Sequence, residues 1–134
     1  IKGCAGPRIQ SPEGGTWITE EMMSTYTQLH QMGYGHSIEV WHDEKLVGGL
    51  YGLALGSAFF GESMYSHAAD ASKIALVHLA QIATSHGIDF IDCQLPTEHL
   101  SRMGAIDISR KAYLAILENA LQENDRTEHW LYSD

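Results

Sequence analysis

An α+β chain built on a mixed sheet is predicted by three observations. Segments 37–41, 46–54 and 58–65 are strand-like apolar runs joined by short polar or glycine turns, the pattern of antiparallel hairpins. Segments starting near Thr19, Asp70 and Ser109 carry apolar residues at helical spacing. A last apolar run, 90–95, follows the middle helix. A strand–helix–strand crossover of this kind sets it beside the 58–65 strand in parallel orientation.

Each element has a local reason. Residues 1–16 hold Gly3, Gly6, Pro7, Pro12, Gly14 and Gly15 and read as a loop. Thr19 can cap a helix whose first turn holds Glu20 and Glu21, as the helix dipole favours. Met22, Met23, Tyr26, Leu29 and His30 form its core stripe, and Gly33 ends it. The first strand ends at the polar turn 42–45, the second at Gly56-Ser57. Gly48, Gly49 and Gly52 strip side chains from the middle strand and allow close approach of backbone or ligand. Asp70 or Ser72 can cap the next helix, which ends at Gly87. Ile74, Leu76, Val77, Leu79, Ala80 and Ile82 make it apolar nearly all round, so burial on more than one side is expected. The 90–95 run reads as a central strand ended by Pro96. A short helix is expected over 97–103. A last one, capped by Ser109, should run to Leu121 with Tyr113, Leu114, Ile116 and Leu117 inward. Segment 130–132 is a candidate anchor for the tail.

Length and composition set bounds. A chain of 134 residues, 44% hydrophobic, reads as one domain with a real core. Its formal charge of −9 weighs against a self-sufficient nucleic-acid-binding module, because phosphate contacts need Lys and Arg. Any such partner must be held by a local patch or by polypeptide outside this segment. Cys4 and Cys93 make neither a disulfide framework nor a zinc signature, and Cys93 is expected to be an inert strand thiol. A reducing, cytosolic setting fits. No apolar run is long enough to cross a bilayer. The first residue is Ile1 rather than Met, so a fragment lacking an N-terminal region is expected.

Common catalytic signatures fail. The chain has no Gly-x-Ser-x-Gly elbow, no phosphate loop, no Cys-x-x-Cys and no His-Glu-x-x-His. Its eight histidines lack metal-ligand spacing, so no metal is expected; His99 is the best candidate for a functional histidine, against a hydrogen-bonded structural role. Strand alternation places Asp92 and Gln94 on one face, opposite Ile91, Cys93 and Leu95. That pair can tie strand to helix, or it can face a ligand at the splayed end of the sheet. Glu62 is either an exposed alternate position or an acid that binds an amino group inside an apolar pocket.

The element order is similar to the core of the GCN5-related N-acetyltransferase fold, minus its first strand and first helix, which would lie upstream of Ile1. In that fold a glycine-rich turn before the crossover helix cradles the coenzyme A pyrophosphate. Here segment 66–73 has no glycine and puts Asp70 where the phosphates would lie, so coenzyme A is not expected.

Six motifs carry a closer resemblance. They are Gly15-Thr16-Trp17-Ile18-Thr19; His36-Ser37-Ile38-Glu39-Val40-Trp41; Leu46-Val47-Gly48-Gly49-Leu50-Tyr51-Gly52; Phe60-Gly61-Glu62-Ser63-Met64-Tyr65-Ser66; Asp70-Ala71-Ser72-Lys73; and Ile91-Asp92-Cys93-Gln94. In order and spacing they resemble the C-terminal domain of bacterial leucyl/phenylalanyl-tRNA–protein transferases, from about Gly3 to Leu117. The resemblance implies an enzyme that moves Leu or Phe from aminoacyl-tRNA to the N-terminal Arg or Lys of a protein. The product would carry a bacterial N-degron, made without a cofactor or metal. It implies Asp92 and Gln94 as catalytic residues. It implies a side-chain pocket of Leu50, Phe59, Met64, Leu76, Leu79 and Ile91, with Glu62 near the substrate's α-amino group. Trp17 would stack on the terminal adenosine of the tRNA; from the residues themselves it reads more readily as a core anchor. Two alternatives stand beside this reading: an acyltransferase using another activated donor, and an inactive peptide-binding fragment.

Overall fold

A two-residue turn closes the first hairpin. Asp43 and Glu44 both adopt left-handed backbone, φ 49° and 61°, the geometry that matches the twist of paired strands. In the computed structural model, which describes residues 1–6, 18–125, Thr127 and Trp130, this turn joins β1 (Gly35–His42) to β2 (Lys45–Leu55). Gly56 and Ser57 then lead into β3 (Ala58–Ser66). The crossover helix, Ala71–Ser85, returns the chain to a short fourth strand, β4 (Phe90–Asp92), parallel to β3. Sheet order is β1-β2-β3-β4, antiparallel except for the last pair. The mixed α+β architecture and the parallel crossover are as predicted.

Around the sheet lie helices α1 (Lys2–Ala5), α2 (Glu20–Gln31), α3 (Ala71–Ser85), α4 (Glu98–Arg102) and α5 (Arg110–Ala120). Thr19, Thr97 and Ser109 cap α2, α4 and α5 by accepting backbone N–H groups of Met22, Leu100 and Ala112. Glycines Gly33, Gly87 and Gly104, all at positive φ, follow α2, α3 and α4. In each case the next residue's N–H reaches back to a carbonyl five residues earlier: Tyr34 to Leu29, Ile88 to Ala83 and Ala105 to Leu100. These are Schellman ends, and they stop the helices where the sequence predicts.

The core lies between the sheet and α3. Ala71, Ala75, Leu79 and Ala83 recur every four residues and are the buried stripe of that helix. Ala75, Leu79 and Ala83 meet Leu50, Ala54, Phe59 and Ile88, with Ile38, Val40, Met64, Leu76, Ile91 and Trp130 packed around them. Gly48 permits the close docking: a Cβ there would stand 2.5 Å from the Ala71 Cβ. The opposite sheet face carries a second cluster of Cys4, Ile18 and Tyr51, flanked by Met23, Tyr26 and Tyr65.

Several expectations need correction. The opening loop contains helix α1, because Cys4 buries itself against Ile18 and Tyr51; residues 7–16 of that loop are outside the described set. The all-round apolar α3 buries one stripe, and Ile74 and Val77 remain 44% and 47% exposed. Asp70 occupies the cap position of α3 but makes no capping bond. Its backbone is left-handed, and its carboxylate instead pairs with Lys73 at 2.6 Å. The 90–95 run stops being a strand at Asp92, and β4 is an edge of the described sheet rather than its centre. Cys93 lies beyond it, half-buried. On α5, Tyr113 and Leu117 face inward as expected, but Leu114 and Ile116 are exposed. Trp130 does anchor its segment, stacking on His36 with ring centres 4.2 Å apart; Leu131 and Tyr132 are outside the described set.

The turn between β2 and β3 gathers distant parts of the chain. Gly56 N–H donates to Asp125, Ser57 N–H to the Ala120 carbonyl, and the Ser57 hydroxyl to Asp89 at 2.6 Å. Gly56 has φ 55°, and a Cβ there would lie 2.0 Å from the Ala120 carbonyl oxygen. Gly56→Ala is therefore expected to lower stability by about 2 kcal/mol through strain and displacement of α5. Urea unfolding measures it, and an unchanged midpoint would show that α5 shifts at no cost.

Candidate active site

The backbone beyond β4 makes a tight reversal. Leu95 N–H donates to the Cys93 carbonyl at 2.8 Å, closing a three-residue turn about Gln94. Gln94 has φ 66°, a sign that glutamine rarely adopts. The Asp92 side chain holds this turn: one carboxylate oxygen accepts the Gln94 backbone N–H at 2.7 Å. Backbone strain fixed by a neighbouring side chain is a recurrent feature of functional sites.

Asp92 and Gln94 are therefore brought together, though not as predicted. They do not share a strand face, because the strand ends between them. Their bond runs from main chain to carboxylate, which leaves the exposed Gln94 amide out of it. The second oxygen of Asp92 accepts the Tyr113 hydroxyl of α5 at 2.7 Å. Asp92 thus does tie strand to helix, the structural alternative considered for the pair, while also pinning the turn. That bond, then burial and the charge of Asp92, push the Tyr113 phenol up to about 12.

Glu62 sits at an irregularity. Tyr51 pairs with Ser63 and Gly52 with Gly61, so Glu62 is the extra residue of a bulge in β3. It is half-buried, and its carboxylate hydrogen-bonds the Tyr26 hydroxyl from α2. Burial, and then Glu62, raise the Tyr26 phenol well above its usual range. Tyr51, at 3% exposure, crosses the Tyr26 ring edge-on at 5.1 Å. Burial first, then Cys4 and Glu62, push it up to about 12. Among the described residues the Tyr51 hydroxyl has no hydrogen-bond partner. A cavity of about 240 Å³ opens here, bordered by Tyr26, His30, Ser37, Glu39 and Tyr51.

All six residues expected to line the side-chain pocket fall in one cluster, on the α3 face. Leu50, Phe59 and Leu79 are buried in it, and Met64, Leu76 and Ile91 are partly exposed around it. Trp17 is outside the described residues. His99 has a buried Nε2 with no partner among the described residues, so the expected structural bond is absent there. In segment 66–73 the Ser66 hydroxyl donates to Ala68 O and accepts Ser72 N–H, and the His67 and Ala68 N–H groups donate to the Val47 carbonyl. The sequence reading missed the roles of Tyr26, Tyr51 and Tyr113. Each reads as a helix-stripe or strand aromatic, and only folding brings it to a carboxylate or to another phenol.

A family model described as leucyl/phenylalanyl-tRNA protein transferase matches residues 1–118. The chain is 58% identical over 115 residues to the leucyl/phenylalanyl-tRNA–protein transferase of Legionella pneumophila (strain Lens), covering 86% of this chain and 52% of that one. It is 51% identical over 130 residues to the protein of the same name from Azoarcus sp. (strain BH72), covering 97% and 54%. The corresponding protein of Thermodesulfovibrio yellowstonii is 50% identical over 131 residues, covering 97% and 53%. The chain thus spans about half the length of the curated relatives it matches.

The raised phenols fix the sign of a pH effect. Unfolded tyrosines titrate near 10. The stability contributed by Tyr51 and Tyr113 is complete below that pH and is lost as pH rises from about 10 to about 12. Phenolate absorbance is expected to rise in separate steps, exposed tyrosines first. One common step near pH 10 would show that these hydroxyls are not held as described.

Proposed function

The chain belongs to the leucyl/phenylalanyl-tRNA protein transferase family, and from that membership we propose that it is the C-terminal catalytic domain of an enzyme moving Leu or Phe from aminoacyl-tRNA to a protein N-terminus that begins with Arg or Lys. The observation that carries the proposal is the Asp92–Gln94 turn. A carboxylate held on both oxygens braces a strained backbone at the open end of the sheet. The parallel crossover and strand order support an acetyltransferase-like fold around it. Segment 66–73, without glycine and with the N–H groups of His67, Ala68 and Ser72 taken by Val47 and Ser66, supports a donor other than coenzyme A. No described helix is long and apolar enough to cross a membrane, and a cytoplasmic setting is proposed with the substrates.

The donor ester is already activated, so the reaction needs an aligned, neutral amine. An α-amino group has a pKa near 8, so roughly a tenth is neutral at pH 7. The amine nitrogen attacks the ester carbonyl carbon. An amide bond forms, the bond to the ribose oxygen breaks, and the amine's proton ends on that oxygen. In this reading the Gln94 amide accepts a hydrogen bond from the attacking amine, and Asp92 polarises it or carries the proton. Such help contributes ~10²–10⁴-fold, and positioning adds to it. Leu50, Phe59 and Leu79 form the floor of the side-chain pocket, and Met64, Leu76 and Ile91 its adaptable rim. Glu62 is turned by its bulge toward Tyr26 on the other sheet face, so the role expected of it at the α-amino group of the transferred residue is not carried into this reading. Trp17 stacks on the terminal adenosine.

The direct test is transfer of labelled leucine from charged tRNA to a peptide beginning with Arg, by the complete protein, with acetyl-CoA assayed in parallel. Leucine transfer is expected. Acetyl-CoA consumption without leucine transfer would replace this reading by the acyl-coenzyme A one. Asp92→Asn should lower turnover more than tenfold with little loss of aminoacyl-tRNA binding; a loss confined to binding would make Asp92 structural. Leu50→Trp should block leucine transfer while the fold is kept, and unimpaired transfer would remove Leu50 from the pocket.

A further inference from the structure

We propose that Tyr113 is a positioning residue for aminoacyl transfer, its hydroxyl setting the orientation of the Asp92 carboxylate from helix α5. This rests on the transferase reading above and adds a residue to it.

The geometry is specific. Asp92 ends the edge strand β4, where its side chain would otherwise turn freely about two torsions. Two donors, one on each oxygen, remove that freedom. The Gln94 N–H takes one oxygen and the Tyr113 hydroxyl takes the other, each at 2.7 Å. Tyr113 lies 21 residues away in sequence and comes from a separate helix. Its ring is itself fixed, standing edge-on to Phe90 with centroids 6.2 Å apart. Phe90 and Asp92 project on the same side of β4, so one aromatic contact and one hydrogen bond lock Tyr113 against the strand. Ser109 caps α5 four residues earlier and fixes where that turn begins. The phenol is kept protonated well above neutral pH and remains a donor there.

A carboxylate bonded in this way holds its remaining lone pairs in fixed directions. If Asp92 polarises the attacking amine, loss of the hydroxyl lets the group rotate and loosens the Gln94 turn that it braces. The side-chain pocket for the transferred residue, built from other residues, is untouched. The ring is not the agent; the oxygen is. Tyr113→Phe separates the two, since it keeps the contact with Phe90 and deletes only the donor.

The test uses the complete protein in leucine transfer from charged tRNA to an Arg-initiated peptide. Wild type, Tyr113→Phe, Asp92→Asn and the double variant are compared, and Tm is measured for each. Tyr113→Phe is expected to lower kcat about tenfold, the scale of one bond to a charged group, with KM for both substrates unchanged. In the Asp92→Asn background the same substitution should have little further effect, because the hydroxyl works through that carboxylate. Wild-type kcat in Tyr113→Phe, a rise confined to KM, or equal losses in both backgrounds would each overturn the positioning role. An inactive wild type would overturn it together with the transferase reading, an outcome distinct from an active wild type with an indifferent Tyr113.

Discussion

The close seat of α3 on the hairpin sheet governs the rest of this chain. Its buried stripe is three alanines and one leucine, set four residues apart. Small side chains let a helix approach, and the bare Gly48 beneath Ala71 lets it approach further. At that distance the crossover can only deliver the chain to the open side of β3. Phe59, fully buried, lies opposite Ile91 in the resulting parallel pair, and Phe60 opposite Asp92. The position of Asp92 is thus a consequence of helix packing.

Alternation along the strands then divides the work between the two sheet faces. The α3 face receives Leu50, Ala54, Phe59 and Ile91 and is almost wholly apolar. The other face receives Tyr51 and Tyr65, and Glu62 and Tyr26 join them there through the bulge in β3. One added residue in a strand costs a ladder bond, but it turns an acid toward a helix that regular pairing would not let it reach. Asp92 and Tyr113 repeat the arrangement at the sheet edge. Carboxylate and phenol are paired twice, once at the bulge of β3 and once at the end of β4, and the carboxylates and burial keep the phenols as donors.

Termini and turns hold these pairs in place by ordinary means. Hydroxyl caps start α2, α4 and α5, and left-handed glycines end α2, α3 and α4. The Gly56-Ser57 turn binds Asp89, Ala120 and Asp125 together, which fixes the far end of α5 as Asp92 fixes its first turns. An edge strand of three residues would be weak if left to its ladder. Here it is secured through the helix beside it.

Much of this was legible in the residues. Hairpin turns, caps, glycine stops and the crossover are local signals, written within a few positions of one another, and they determined the α+β class and the order of elements. Asp92, Gln94 and Glu62 stood out because polar groups among apolar neighbours are costly. What the sequence could not determine was the partner of each. Apolar residues continue to Leu95 and favour a longer β4, yet the Asp92 carboxylate captures the Gln94 N–H and turns the chain away. The apolar pattern of α3 favours burial on more than one side, yet Ile74 and Val77 stay exposed away from the sheet. Tyr113 looked like one more inward aromatic. Which oxygen its hydroxyl would reach, 21 residues back, depends on how helix and strand pack, and only the tertiary structure decides that.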